Sequence, residues 1–293
     1  MFIDIHGHAY RKACPFPNRF AVLSELLAIY ERHGILRACI QPLVGSETYL
    51  PQSNDDIIEM AEQNPDRIIA FCNIDPRALW GAPFTDFGDL LRYYKDKGVK
   101  GFGEFMPNLP FLDPLVQNMF THVEAVGFPL CFDMRTTIGD GYGLYDDPGL
   151  PQLEMSLQRH PNLIFLGHGP PFWAEMAQLE KPGDRAGYPQ YPVKEEGVVP
   201  KLMRRYGNLY GDLSAGSGFN SLNRDHDHAV KFLNEFQDRL LFGTDICSPD
   251  IESIPLIDLL NTFRTEGRIS NDVHRKIACG NAIKLLGLAM GKV

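Results

Sequence analysis

A chain of 293 residues, 44% hydrophobic and 22% charged, has the composition of a folded globular protein and is long enough for one large α/β domain or two small ones. A formal net charge of -9, with no long Lys/Arg run, excludes the electrostatic footprint of a nucleic-acid binder or of a protein drawn to an anionic membrane. No apolar stretch is long enough to span a bilayer and no signal-peptide pattern is present; six scattered cysteines without a CxxC read as buried free thiols of a cytoplasmic protein.

The first apolar run, "FIDIH" at 2–6, reads as a strand that delivers His6 and His8 at its end. Side chains alternate along a strand, so Phe2, Asp4, His6 and His8 are expected on one face and Ile3, Ile5 and Gly7 on the other. Two imidazoles on one face, with a glycine between them, can chelate one metal ion. Residues 19–34 follow with helical spacing of apolar positions and a glycine stop. The second strand, "ILRACIQPL", leads into a polar connection at 43–54. Residues 54–67 read as a helix with Asn54 as its N-cap. Further strand-like runs are "RIIAFCNID", "VKGFGEFMP", "FPLCFDM", "LIFLGHG", "NLYGDLS" and "RLLFGTDIC". Helical patterns occupy 113–127, 147–162, 227–237 and 272–288.

Most of these strands are near-continuously apolar, as strands covered on both faces should be. Eight of them alternating with helices predict an α/β fold, a (β/α)8 TIM barrel, as one domain over residues 1–293. The rival, a doubly wound sheet, is disfavoured because neither a GxGxxG nor a Walker signature follows the first strand. Residues 170–200, rich in Pro and Gly, form an excursion expected to fold over the barrel mouth or into a contact between subunits of a homo-oligomer.

In such a barrel the C-terminal strand ends converge on one mouth. Those ends carry His6 and His8, Glu104, Asp133, His168, Asp212 and Asp245. Ligands of this kind suit a divalent ion such as zinc or manganese. Tyr10, Arg11, Arg135 and Trp173 are the candidates for holding a small substrate, an arginine being suited to grip a carboxylate. His226 and His228 repeat the HxH spacing on a helix entry, where alternate residues do not share a face, and are expected to be solvated.

The pieces "DIHGH", "GHG", "LLFGTD" and "GNAIKLLGL", in this order, resemble the amidohydrolase superfamily, and within it the "amidohydrolase 2" branch that includes aminocarboxymuconate semialdehyde decarboxylase-like proteins. The resemblance implies that His6 and His8 are metal ligands, that Asp245 is a ligand or the base that activates water, and that His168 is a ligand or a catalytic acid/base. It departs where the branch's decarboxylases carry a strand-five histidine, since this chain has Asp133; Glu104 or Asp133 is then expected to complete the set. One ion, two, or none are all compatible with the branch. The implied activity is metal-dependent hydrolysis of an amide, ester or lactone in a small carboxylated or cyclic substrate. The alternatives are non-oxidative decarboxylation on the same fold and a non-catalytic small-molecule-binding barrel.

Overall fold

The computed structural model describes residues 1–14, 19–48 and 50–289. Eight parallel strands form the barrel in chain order: β1 (Phe2–Gly7), β2 (Ile35–Ile40), β3 (Ile68–Cys72), β4 (Gly101–Phe105), β5 (Leu130–Phe132), β6 (Phe165–Gly167), β7 (Leu209–Asp212) and β8 (Leu240–Leu241). The Ile5 amide donates to the Phe242 carbonyl (3.0 Å) and the His8 amide to the Ile246 carbonyl (3.0 Å), which completes the ring between β1 and β8. A short two-strand ladder, 134–135 with 144–145, stands beside the mouth after β5.

Two apolar layers hold this arrangement. Ile3, Ile5, Cys39, Ile69, Phe71, Cys131, Leu166 and Leu241 fill the barrel, with Ala282 and Leu286 of the last helix packed against them. The larger layer lies between strands and surrounding helices. All six cysteines are free, and no helix among the described residues is long and apolar enough to cross a membrane.

The helix Leu23–His33 ends where Gly34 takes φ 69, a left-handed C-cap that favours glycine. The next helix, Asn54–Gln63, is capped by Ser53, whose Oγ accepts from the Asp56 amide (3.1 Å), and not by Asn54. Asn54 instead ties the helix to the end of β3: its Nδ2 donates to the Asn73 carbonyl (2.9 Å) and its Oδ1 accepts the Asn73 amide (2.8 Å). Four helices lie outside the stretches expected to be helical: Gly88–Asp96, Val198–Arg205, Ala215–Asn223 and Pro255–Thr265. The third of these, "AGSGFNSLN", is poor in helix formers and is held by burial of Gly218, Ser221 and Leu222.

The excursion begins as a short helix, Pro170–Ala174, that turns Trp173 into the core. Trp173 is 1% exposed, stands edge-on to Phe172 and Phe232, and donates from Nε1 to the Asp212 carbonyl (2.9 Å). It therefore packs the outer layer and does not reach a substrate, as burial of its large ring outweighs any role at the mouth. Trp173→Ala is expected to lower the free energy of unfolding by about 3–5 kcal/mol in urea titration. Farther along, buried Arg185 anchors the segment, donating to Glu175 Oε1 (2.5 Å) and to the carbonyls of Asp146 (2.8 Å) and Asp147 (3.2 Å). With that anchor fixed, Ala186 and Tyr188 reach the rim of the barrel mouth.

Candidate active site

Two strand irregularities build the site. Strict alternation would put Asp4, His6 and His8 on one face, but the register of β1 shifts between Asp4 and Gly7. Asp4 and Gly7, three residues apart, both face Tyr30: the Tyr30 hydroxyl donates to Asp4 Oδ2 (2.6 Å), and a Cβ on Gly7 would fall 2.4 Å from that hydroxyl. The extra residue turns His6 inward on the same side as Ile3 and Ile5, and His8 joins it. In β4 the register likewise shifts between Phe102 and Phe105. Both phenylalanines sit in the outer layer, and Glu104 between them is left facing the mouth.

The three histidines are oriented from behind. His6 Nδ1 donates to Asp212 Oδ2 (2.7 Å) and His8 Nδ1 to the Gln41 carbonyl (2.8 Å), acceptors that fix the proton on Nδ1. His168 Nδ1 lies 3.0 Å from Ser214 Oγ. The Nε2 atoms of His6 and His8 consequently face each other, 3.1 Å apart. Around them stand Glu104 Oε2, at 3.6 and 3.5 Å, and Asp245 Oδ1, at 3.7 and 3.2 Å. His168 Nε2 is 3.9 Å from Glu104 Oε1 and 3.8 Å from Asp245 Oδ2. Donors bound at about 2.0–2.2 Å to one ion sit roughly 3–3.5 Å apart, so this set fits a divalent cation.

Electrostatics point the same way. Burial raises the carboxyl pKa values of Glu104, Asp212 and Asp245, but the neighbouring histidines outweigh it and hold all three below the ordinary range. Desolvation opposes protonation of His6, yet the facing negative groups, Asp212 and Glu104 among them, raise its pKa. Cys131 Sγ approaches His6 Nδ1 and Asp212 Oδ2 at 3.7 Å, but burial pushes its thiol up to about 12, and it lies on the hydrogen-bonded side of the ring.

Asp245 follows β8 with φ 55, uncommon for a residue with a Cβ, and its amide donates to the His6 carbonyl (2.7 Å). Thr244, one residue earlier, donates from its amide to Asp4 Oδ1 (2.9 Å). The two ends of the barrel strand ring are thereby stitched together under the site.

A cavity of about 490 Å³ opens above these groups. His8, Glu104, His168 and Asp245 line its floor; Phe20, Leu43 and Met106 give one apolar wall, and Tyr142 and Tyr188 contribute at the rim. Arg135 lines it too, its guanidinium 5.2 Å from the Tyr142 ring centre. Asp133 lines the cavity apart from the donor set. A Cβ on Gly143 or Gly169 would fall 2.8 or 2.1 Å from its carboxylate oxygens, so glycine is required at both positions. Burial and the nearby Glu104 raise the Asp133 pKa well above the carboxylate range. Asp133→Asn, which mimics the protonated acid, is expected to keep its full metal content by elemental analysis.

Two predicted substrate contacts lie elsewhere. Arg11 is exposed and pairs with Asp56 (3.3 Å) and Glu59 (2.9 Å) on the next helix, because those carboxylates, not the mouth, are within its reach. Tyr10 is buried and donates to the Leu50 carbonyl (2.7 Å), packing against Leu43 and Met106 behind the cavity wall. Gln41, Ser214 and Tyr142 were not singled out from sequence. Ser214 was within reach of the pattern, since it lies two residues past Asp212 and so shares its face. Gln41 holds His8 through its backbone carbonyl, which leaves no trace in residue type, while its side-chain Nε2 donates to the Ile5 carbonyl (3.1 Å).

The family model described as amidohydrolase matches residues 3–288. The chain belongs to the amidohydrolase family. Search of curated sequences gave no match. Among solved structures, this amidohydrolase-family chain is similar to a 5-carboxyvanillate decarboxylase from Sphingomonas paucimobilis, with TM-score 0.66 at 16% identity over 98% of this chain and 99% of that one. It is similar to a probable 2-pyrone-4,6-dicarboxylic acid hydrolase from Acinetobacter baumannii, with TM-score 0.60 at 16% identity over 98% and 99%. A 2,6-dihydroxybenzoate decarboxylase from Rhizobium gives TM-score 0.60 at 17% identity, over 98% of both chains. These neighbours share the fold, and their names span hydrolases and carboxy-lyases.

Proposed function

We propose that this amidohydrolase-family protein is a metal-dependent hydrolase that opens an amide, ester or lactone bond in a small carboxylated or cyclic molecule. The observation that carries the reading is the pair of facing Nε2 atoms of His6 and His8, each locked by a hydrogen bond at Nδ1 and ringed by Glu104, Asp245 and His168. A divalent ion held there, zinc or manganese, supplies Lewis acidity and makes water a nucleophile near neutral pH. His6, His8 and Asp245 are its proposed ligands, with Glu104 and His168 completing the set.

The chain's own groups do the rest. Asp245, ionised and partly open to the cavity, takes the proton of the attacking water and passes it to the leaving group. His168, its Nδ1 beside Ser214 Oγ, presents Nε2 to the reacting centre as a second acid/base. Arg135 offers a planar cation to a substrate carboxylate, steadied by the Tyr142 ring. Phe20, Leu43 and Met106 pack the substrate body and displace water. The free cysteines support a cytoplasmic setting.

The test is a screen of lactones, esters, amides and aromatic acids with zinc- or manganese-loaded protein, following acid release and carbon dioxide together. Hydrolysis products without carbon dioxide support the proposal. Carbon dioxide without hydrolysis assigns the carboxy-lyase reading instead, and binding without turnover assigns the non-catalytic barrel.

A further inference from the structure

A second cavity, of about 260 Å³, lies at the foot of the barrel, the end opposite the catalytic mouth. It is bounded by the start of β3, the residues just before β4, the helix Asn54–Gln63 and Leu288. Ile58, Ala61, Ile68, Ala70 and Leu288 make its wall apolar. Three cations, Arg37, Lys97 and Lys100, line it against one carboxylate, Glu62. None of the three forms an ion pair among the described residues; the Lys97 ammonium stands over the Tyr93 ring, 5.8 Å from its centre. Arg37 is brought there by its strand. It alternates with Cys39 on the inner face of β2 and stands in register with Ile3, and Cys39 and Ile3 both fill the barrel. A charge so placed finds few partners: Nη2 donates to the Pro65 carbonyl (3.2 Å), the one hydrogen bond the guanidinium makes among the described residues, and Nε is buried with none. A guanidinium left so poorly paired is costly, and an acceptor in the cavity would complete it.

We infer that this cavity is a second binding site, for a small organic acid whose carboxylate is held among Arg37, Lys97 and Lys100 and whose apolar body lies against Ile58, Ile68 and Leu288. Unpaired cations favour an anion, and a guanidinium suits the planar carboxylate. The apolar wall selects an organic anion over an inorganic one, because it gains only from a body that covers it. On a chain of net charge -9 such a local excess of cations is the place an anion is drawn to. The site stands apart from the chemistry. N-terminal strand ends form it, whereas His6, Glu104 and Asp245 stand at the C-terminal ends. It therefore does not rest on the hydrolase reading, and an acid bound there stabilises the folded chain by mass action.

Hexanoate is the probe, with hexanol and inorganic phosphate standing for its apolar and its anionic half, titrated by calorimetry into metal-loaded and chelated protein. Wild type should bind hexanoate in both states and discriminate against hexanol and phosphate. Arg37→Met should bind it about tenfold or more weakly, the loss expected for hydrogen bonds between charged groups. The Lys97→Gln/Lys100→Gln variant should bind it several-fold more weakly, with a reduced dependence on salt. Both variants should keep the wild-type metal content. Without ligand, Arg37→Met should melt no lower than wild type, since methionine keeps an apolar stem and deletes a poorly paired charge; hexanoate should raise the melting temperature of wild type and not of this variant. Lys97 and Lys100 are exposed, so their variant folds whatever Arg37→Met does. Hexanoate affinity unchanged in either folded variant would place the acid elsewhere and overturn the inference. Equal binding of hexanol or phosphate, binding that vanishes on chelation, or no binding at millimolar hexanoate would overturn it too. Failure of the hydrolase reading shows separately, as protein that takes up no metal or turns nothing over.

Discussion

The His6→Ala/His8→Ala double variant is expected to lose its metal and its turnover together, while wild type carries close to one divalent ion per chain or per site. The reason is geometric. The Nε2 atoms of His6 and His8 stand 3.1 Å apart, and each ring is held by an acceptor at Nδ1, which keeps both Nε2 atoms turned to the same point. Truncation removes the two closely spaced Nε2 donors and leaves Glu104 and Asp245 with the more distant imidazole of His168, 3.9 and 3.8 Å away. Asp212 should then become a liability, since its buried carboxylate loses the His6 Nδ1 proton and keeps only the Ser214 amide and more distant partners. Elemental analysis after dialysis, with circular dichroism to confirm folding, checks this. A folded double variant with undiminished metal would refute the assignment.

The barrel was legible because both layers of packing write themselves into residue type. Strands such as "RIIAFCNID" are apolar on successive positions, since one face meets the barrel interior and the other the helices: Ile69 and Phe71 belong to the inner layer, Ile68, Ala70 and Cys72 to the outer. The site was legible at strand ends, where a polar residue interrupts such a run, as at His168 and Asp245. Period-two reasoning nevertheless gave the wrong neighbours for His6. It assigned Asp4 to the same face, whereas the shift in β1 sends Asp4 to Tyr30 and Thr244. Nothing in "FIDIH" announces that extra residue; it arises from tertiary contact, with Gly7 close under the Tyr30 hydroxyl. Arg11 misled for a different reason. Closeness in sequence to His8 suggested closeness in space, but beyond the strand the chain turns outward, and Asp56 and Glu59 capture the guanidinium. Trp173 illustrates a third cause: one helical turn from His168 suffices to carry a side chain from the mouth to the core behind it.

Asp245→Asn is expected to reduce turnover by about a hundredfold to ten-thousandfold, the range for losing a positioned general base, while the fold is retained. Asparagine is the right probe on backbone grounds. Asp245 adopts φ 55, and asparagine tolerates that left-handed region as readily as aspartate, so the substitution adds no strain. It keeps an oxygen near His8 Nε2, 3.2 Å away in the wild type, and so keeps a donor for the ion. What it removes is the negative charge and the capacity to accept a proton. The stability consequence has a definite sign. Hydrogen bonding to His8, with the charges of His6 and His168, outweighs burial and holds the Asp245 pKa below its unfolded value. The ionised form is therefore favoured by folding; its contribution is present above the unfolded pKa, near 4, and fades as pH falls through the lower folded value. Metal-free wild type should accordingly be more stable than the variant at neutral pH, and the gap should narrow in acid. Urea titrations at pH 7 and pH 3.5 read that gap, elemental analysis reads retained metal, and a pH–rate profile reads the chemistry. An Asn variant that turns over with the wild-type rate and profile would remove Asp245 from the proton path and leave His168 as the candidate to carry it.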